Sequence, residues 1–205
     1  LGKGLFMSGI NLILQDQFLK EFFSSQFAGN FNLTGGTALS RFYLFHRESV
    51  DLDFFTHDQD LDFAAVSATV RAIGKKLNLI IRQQVTAETF LQFIFLAPDK
   101  TTLKTDFVKD VSVRFGEIKT KGKTRLDSLE NIAVNKVLAV FGRTDAKDFI
   151  DLYFLLRDKG FVLEELIEKA KKKDLGLSEF YLANSVAAVE NINQWPEMLV
   201  SLDKS

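Results

Sequence analysis

Residues 34–53 read TGGTALSRFYLFHRESVDLD. Gly35 and Gly36 open an apolar run, and Asp51 and Asp53 alternate in the stretch that closes it. FNL at 31–33 has the make-up of a short strand leading into the glycines. TALSRFYLFH at 37–46 is spaced like a helix, and SVDLDFFT at 49–56 alternates like a strand. On a strand, residues i and i+2 share a face, roughly 6.5 to 7 Å apart. Asp51 and Asp53 then project together, while Val50, Leu52 and Phe54 turn the other way, toward a core. Two carboxylates on one face repel unless a cation lies between them. Mg²⁺ is a hard cation that takes oxygen ligands and keeps positions open for phosphate and water. The Gly-Gly turn exposes backbone N–H groups at the start of a helix, which suits a phosphate, and Thr37 adds a hydroxyl and an N–H. Asp106, which shares a strand face with Lys104, is the candidate third carboxylate. An Asp-x-Asp pair by itself also suits an exposed strand with surface ion pairs. Its combination with the glycine turn and helix points to metal and triphosphate side by side.

Working outward, three strand-like runs follow a helical stretch at 61–77: 78–85, 88–97 and 101–111. Upstream, Phe18, Phe22 and Phe23 mark a helix within 15–27. From Asp127 on, the chain reads as successive helices at 127–142, 145–158, 162–173, 177–190 and 195–202, the first opened by an Asp127–Glu130 capping box. The layout is α+β: a mixed-sheet domain over 1–115 and a helical domain over 116–205. The join falls in GEIKTKGKTR at 116–125, a polar loop or exposed hairpin.

Composition narrows the function. A chain of 205 residues that is 46% hydrophobic and 26% charged can build a sizeable core and stay in solution. A formal net charge of -1 argues against a uniformly basic nucleic-acid binder. With no cysteine, neither disulfides nor thiolate metal sites exist, and two histidines make a His-rich zinc site a poor fit. GLFMSGINLIL is too short and interrupted to span a membrane and lacks the marks of a secretory signal, so a cytoplasmic location is expected. Residues 99–125 carry eight basic against four acidic residues, a local surplus that could contact an RNA backbone or simply be solvated.

LTGGTALSRFYLFHRESVDLDFF resembles the opening motif of the AbiEii/AbiGii-type nucleotidyltransferases, roughly LxGGTAL followed by HRxSxDlDlF. NIAVNK at 131–136 resembles that family's D-x-x-x-x-K motif, and KDFIDLYFLL at 147–156 its K-D-x-x-D-L motif. The matches run in order from about residue 31 to 156. The resemblance implies a DNA-polymerase-β-like nucleotidyltransferase fold followed by a helical bundle. It also implies Mg²⁺-dependent transfer of a nucleotide from an NTP, in a family with toxin members of toxin–antitoxin or phage-defence modules. Gly35, Gly36, Ser49, Asp51 and Asp53 match the first motif. Lys104 and Asp106 fit a less defined K-x-D strand. Lys136, Lys147, Asp148 and Asp151 match the later motifs. Asn131 stands where the family has Asp, which admits a second reading: an NTP-binding protein of the same fold with weakened turnover.

On this basis Asp51, Asp53 and Asp106 are expected to hold Mg²⁺. Gly35, Gly36, Thr37 and Ser49 are expected to cradle the NTP, Lys136 to meet the triphosphate, and Asp148 to serve the acceptor or orient Lys136. The acceptor could be tRNA or a protein hydroxyl, and an antitoxin protein is a possible partner. Simpler alternatives stand beside these roles. Lys147 and Asp151 could form an i,i+4 surface pair. His46 could sit at a helix C-terminus for its dipole. Arg47 could bind a phosphate, or pair with Glu48 or a nearby aspartate.

Overall fold

The structure, a computed structural model, describes residues 3–192 and 194–201. It divides into two compact units that interleave along the sequence. The first comprises the residues up to Thr37, Val50–Ser112 and Ile118–Asp127; the second comprises Ala38–Ser49, Val113–Glu117 and the described residues from Ser128 on.

In the first unit seven strands form one mixed sheet. They are β1 (Asn32–Thr34), β2 (Leu52–Thr56), β3 (Ile80–Thr86), β4 (Phe90–Leu96), β5 (Thr102–Lys109), β6 (Lys119–Lys121) and β7 (Thr124–Leu126), in the order β3-β4-β5-β2-β1-β7-β6. The hairpin β6–β7 is the segment read as a loop or exposed hairpin. It adds two strands at the sheet edge, with Leu126 paired in parallel to Leu33. Alternation decides which face is core: Leu52, Phe54 and Thr56 on β2 and Leu103, Thr105 and Phe107 on β5 are buried, and the residues between them are not. Helix α1 (Lys3–Phe22) delivers Phe18 and Phe22 onto that face. Phe22 lies 4.6 Å from Phe54 and 5.1 Å from Phe107, and Phe54 and Phe107 stack at 4.7 Å. Each ring removed from water is worth about 1.5–3 kcal/mol, so this aromatic cluster fixes the helix to the sheet. Many of the 21 phenylalanines are therefore core. A later helix of the same unit, Phe63–Lys76, is capped by Asp62, which accepts from the Ala64 N–H at 2.8 Å.

The expected helix at 37–46 takes another form. A short turn, α2 (Gly35–Ala38), runs into a π-helical segment at Leu39–Leu44, which ends on Phe45 in the left-handed region at φ 57°. With Phe63–Lys76 as α3, the second unit holds α4 (Leu129–Gly142), α5 (Ala146–Lys159), α6 (Leu163–Lys173) and α7 (Glu179–Ala187). Ile132, Ala133, Val134, Val137 and Val140 make α4 the buried centre, with Phe154, Leu155, Leu166, Ala170 and Leu182 buried on the other three helices. Two expectations fail here. The cap of α4 is Ser128, whose hydroxyl oxygen accepts from the Asn131 N–H at 2.9 Å; Asp127 is instead tied into the sheet by Thr34. The helix expected at 195–202 is absent over its described residues. Pro196 has no N–H to donate and disfavours helical backbone before it. Met198 instead bridges Arg47 in antiparallel fashion, flanked by Glu48 N–H to Glu197 O and Leu199 N–H to His46 O, both at 2.9 Å. Among the described residues no helix is long and apolar enough to cross a membrane.

Candidate active site

Strand register assembles the first unit's polar face. Gln92 on β4 pairs with Asp106 on β5, Asp106 with Asp53 on β2, and Asp53 with Thr34 on β1. Cross-strand partners share a face, so these four side chains form one row on the side away from the phenylalanines. Asp51 stands two residues before Asp53, just outside β2. Lys104 lies on the same face of β5 as Asp106, and its ammonium sits 2.8 Å from Asp106 Oδ2 and 3.5 Å from Asp51 Oδ2. Burial would lower the Lys104 pKa, but the Asp106 hydrogen bond and the charges of Asp51, Asp106 and Asp53 outweigh it and hold the amine above its ordinary value.

The glycine turn meets this row directly. Gly35 has φ 66°, and a Cβ there would lie 2.2 Å from Asp53 Oδ2. Only glycine allows both the left-handed backbone and the approach. Thr37, expected to offer its hydroxyl to phosphate, is buried and donates that hydroxyl to the Asp51 carbonyl oxygen. It anchors the backbone of one carboxylate to the glycine turn. Thr34 donates to Asp127 Oδ2 at 2.9 Å, and the Asp127 N–H returns a bond of 2.9 Å to Leu33 O, which ties β7 to the strand that feeds the turn.

Carboxylate oxygens are hard donors of the kind that Mg²⁺ selects. Among the described residues no three His, Cys, Asp or Glu side chains are gathered tightly enough to hold an ion as they stand. The Lys104 ammonium occupies the space among them as a resident cation. Asp51 and Asp106 flank that ammonium, with Asp53 on the same sheet face, and carboxylate oxygens are the donor type a hard divalent cation takes.

The other expected residues belong to the second unit. Ser49 is half-buried at the end of the segment that follows the π-helical turns. Lys136 on α4 and Asp148 on α5 do come together: the ammonium lies 2.7 Å from Asp148 Oδ1 and also 2.7 Å from Asp151 Oδ2. Asp151 is fully buried and collects three cationic or imidazole partners. Arg47 donates through Nε to Oδ1 and through Nη2 to Oδ2, each at 2.7 Å, and His46 Nε2 lies 2.7 Å from Oδ1. Arg143 Nε closes on Asp148 Oδ2 at 2.7 Å. Burial pushes both carboxyl pKa values up, but Lys136 and the surrounding donors overcome it and hold both below the ordinary carboxylate range. Burial likewise pulls Lys136 down, and its two carboxylate partners more than restore it.

The Lys147–Asp151 surface pair is therefore overturned: Lys147 approaches Asp145 at 3.4 Å, and Asp151 faces inward. Arg47 pairs with an aspartate, one of the alternatives its sequence offered, and His46 joins it on Asp151 instead of serving a helix dipole. Asn131, read as a departure that could loosen Lys136, bears on other groups. Its Oδ1 accepts from the Phe115 N–H and from Lys173, each at 3.3 Å, while Lys136 has two carboxylates of its own. Gln92, Arg143 and the Thr34–Asp127 tie were missed: strand pairing and the return of the chain supply the partners of Gln92 and Thr34, and Arg143 reaches Asp148 across the turn between α4 and α5. The sole signal was the row of polar residues at alternate strand positions.

Comparison with known proteins places a chain with this mixed sheet, glycine turn and aspartate row among the nucleotidyltransferases. The family model described as nucleotidyl transferase AbiEii toxin, type IV toxin–antitoxin system, matches residues 17–199. The chain belongs to that family. An uncharacterised protein of Aquifex aeolicus, aq_aa25, is 25% identical over 188 residues, which cover 88% of this chain and 84% of that one. Among solved structures, a putative nucleotidyltransferase from Helicobacter pylori superposes with a TM-score of 0.61 at 21% identity, over 94% of this chain and 86% of that one. MenT4, a nucleotidyltransferase toxin of Mycobacterium tuberculosis, superposes with a TM-score of 0.51 at 10% identity, over 89% and 93%.

Proposed function

We propose that this chain transfers a nucleotide from an NTP to an acceptor hydroxyl, with Mg²⁺ held by Asp51, Asp53 and Asp106, as the toxin component of a toxin–antitoxin or phage-defence system. One observation carries the reading: Asp53 and Asp106 are register partners, and the Gly35 turn lies against that same Asp53 carboxylate. Carboxylates for a cation and backbone N–H groups for a polyphosphate thus share one sheet face. Gly35 and Gly36 offer N–H groups to the phosphates. Thr37 fixes Asp51 by its backbone. The metal, when bound, neutralises phosphate charge and stabilises the attacking and leaving oxygens. The acceptor oxygen forms a bond to the α-phosphorus as the bond to pyrophosphate breaks.

Lys136 and Asp148 were assigned to the triphosphate and the acceptor. Their mutual burial favours a positioning role in this reading. Lys136 also holds Asp151, which in turn holds His46 and Arg47, the latter four residues before Asp51 in the chain. An RNA such as tRNA suits the basic surplus at 99–125 as acceptor, with a protein hydroxyl as the other class. An antitoxin partner follows from family membership.

The test is transfer of α-labelled nucleotide from each NTP to total RNA and to protein, with pyrophosphate release measured in parallel. Label transfer by the parent chain and its loss in Asp51→Asn are expected. An Asp51→Asn variant that labels as well as the parent overturns the metal assignment. NTP and Mg²⁺ that raise the melting temperature without pyrophosphate release would select the weakened-enzyme reading.

A further inference from the structure

The Asp106 carboxylate has both oxygens engaged: Oδ1 accepts from Gln92 Nε2 at 2.9 Å, and Oδ2 from Lys104 Nζ at 2.8 Å. Asp51 Oδ2 lies 3.5 Å from the same ammonium. Three carboxylates on one face would repel one another or take up protons without a cation among them. We propose that Lys104 is the resting counter-ion of this carboxylate group: it keeps Asp51 and Asp106 poised, competes with the divalent cation for Asp106 Oδ2, and moves its ammonium to the nucleotide's phosphates when that cation binds. This rests on the metal-and-phosphate reading above.

Three features support the exchange. A divalent charge outcompetes a single one for the same oxygens at similar range. Lys104 is a third exposed, on a flexible four-carbon stem, so the side chain has room to leave. The Gly35 turn abuts Asp53, so phosphates held at the turn lie on the face to which Lys104 belongs. An ordinary strand ion pair would behave differently: its loss would lower stability without favouring metal.

The test is titration of Mn²⁺ alone into the metal-free parent chain, Lys104→Met, Lys104→Gln and Asp51→Asn, by calorimetry and Mn²⁺ spin resonance, with folding checked by circular dichroism. Loss of the competing charge is expected to tighten Mn²⁺ binding on the order of tenfold in both Lys104 variants. The same variants are expected to bind NTP with Mg²⁺ about tenfold more weakly, an opposition of sign that a structural role would not produce. Lys104 variants that bind Mn²⁺ no tighter, or NTP no more weakly, overturn the proposal while the metal reading stands, provided Asp51→Asn loses Mn²⁺. A parent chain that binds no Mn²⁺ overturns both.

Discussion

Gly35 holds a left-handed backbone with the Asp53 carboxylate where its side chain would be. Gly35→Ala asks for two things at once: a φ that costs an L-residue roughly 1–2 kcal/mol, and a shift of a short, stiff carboxylate. The variant is expected to unfold at lower urea by about 1–3 kcal/mol and to lose metal-dependent stabilisation by NTP out of proportion to that change. Calorimetric melting with and without Mg²⁺ and NTP checks both. At this scale the sequence was readable where the cause is local. A pair of glycines before a helix-like run and an Asp-x-Asp alternation need no knowledge of the rest of the chain. The approach of Lys104 to Asp51 and the choice of Asp151 as the aspartate for Arg47 were out of reach, because each contact joins segments that only the finished fold brings together.

Among the elements, strands were legible through alternation, and β2 and β5 appear close to where the pattern put them. Their parallel pairing, which sets Asp53 beside Asp106, carries no local signature. Helix ends were harder. Asp127 and Ser128 are both good capping residues, and the choice fell to Ser128 because Asp127 is drawn into the sheet by Thr34 and Leu33. Ser128 also donates to the Phe115 carbonyl. Ser128→Ala is expected to cost about 1–2 kcal/mol in urea unfolding, through the lost cap and the orphaned carbonyl. An unchanged midpoint would show that the hydroxyl caps nothing. The π-helical turns at 39–44 were unreadable for another reason: their apolar spacing matches an ordinary helix, and only the left-handed exit at Phe45 marks the difference.

Across the whole molecule, the buried charges of the second unit set how stability responds to pH. Asp148 and Asp151 are held below the ordinary carboxylate range, so their contribution is present above about pH 4 and is lost as pH falls through their folded values. Lys136 is held above its ordinary value, so its contribution is present below about pH 10 and is lost as pH rises through its folded value. A plateau between about pH 5 and pH 9, with an acid limb below it, is expected from urea midpoints measured across pH. Asp151→Asn leaves Arg47 without its buried counter-charge and Lys136 with Asp148 alone, and is expected to lower that plateau by about 3–5 kcal/mol while flattening the acid limb.

The tie between Thr34 and Asp127 joins residues 93 positions apart. During synthesis at about 5–20 residues per second, β1 therefore waits roughly 5 to 20 seconds for the neighbour on its far side. For that interval the nascent sheet shows a bare edge beside the glycine turn, the kind of surface on which newly made chains stick to one another or meet a chaperone. Only when the late hairpin leaves the ribosome is that edge sealed, so the scaffold for chemistry is completed after every other strand of the sheet has been made.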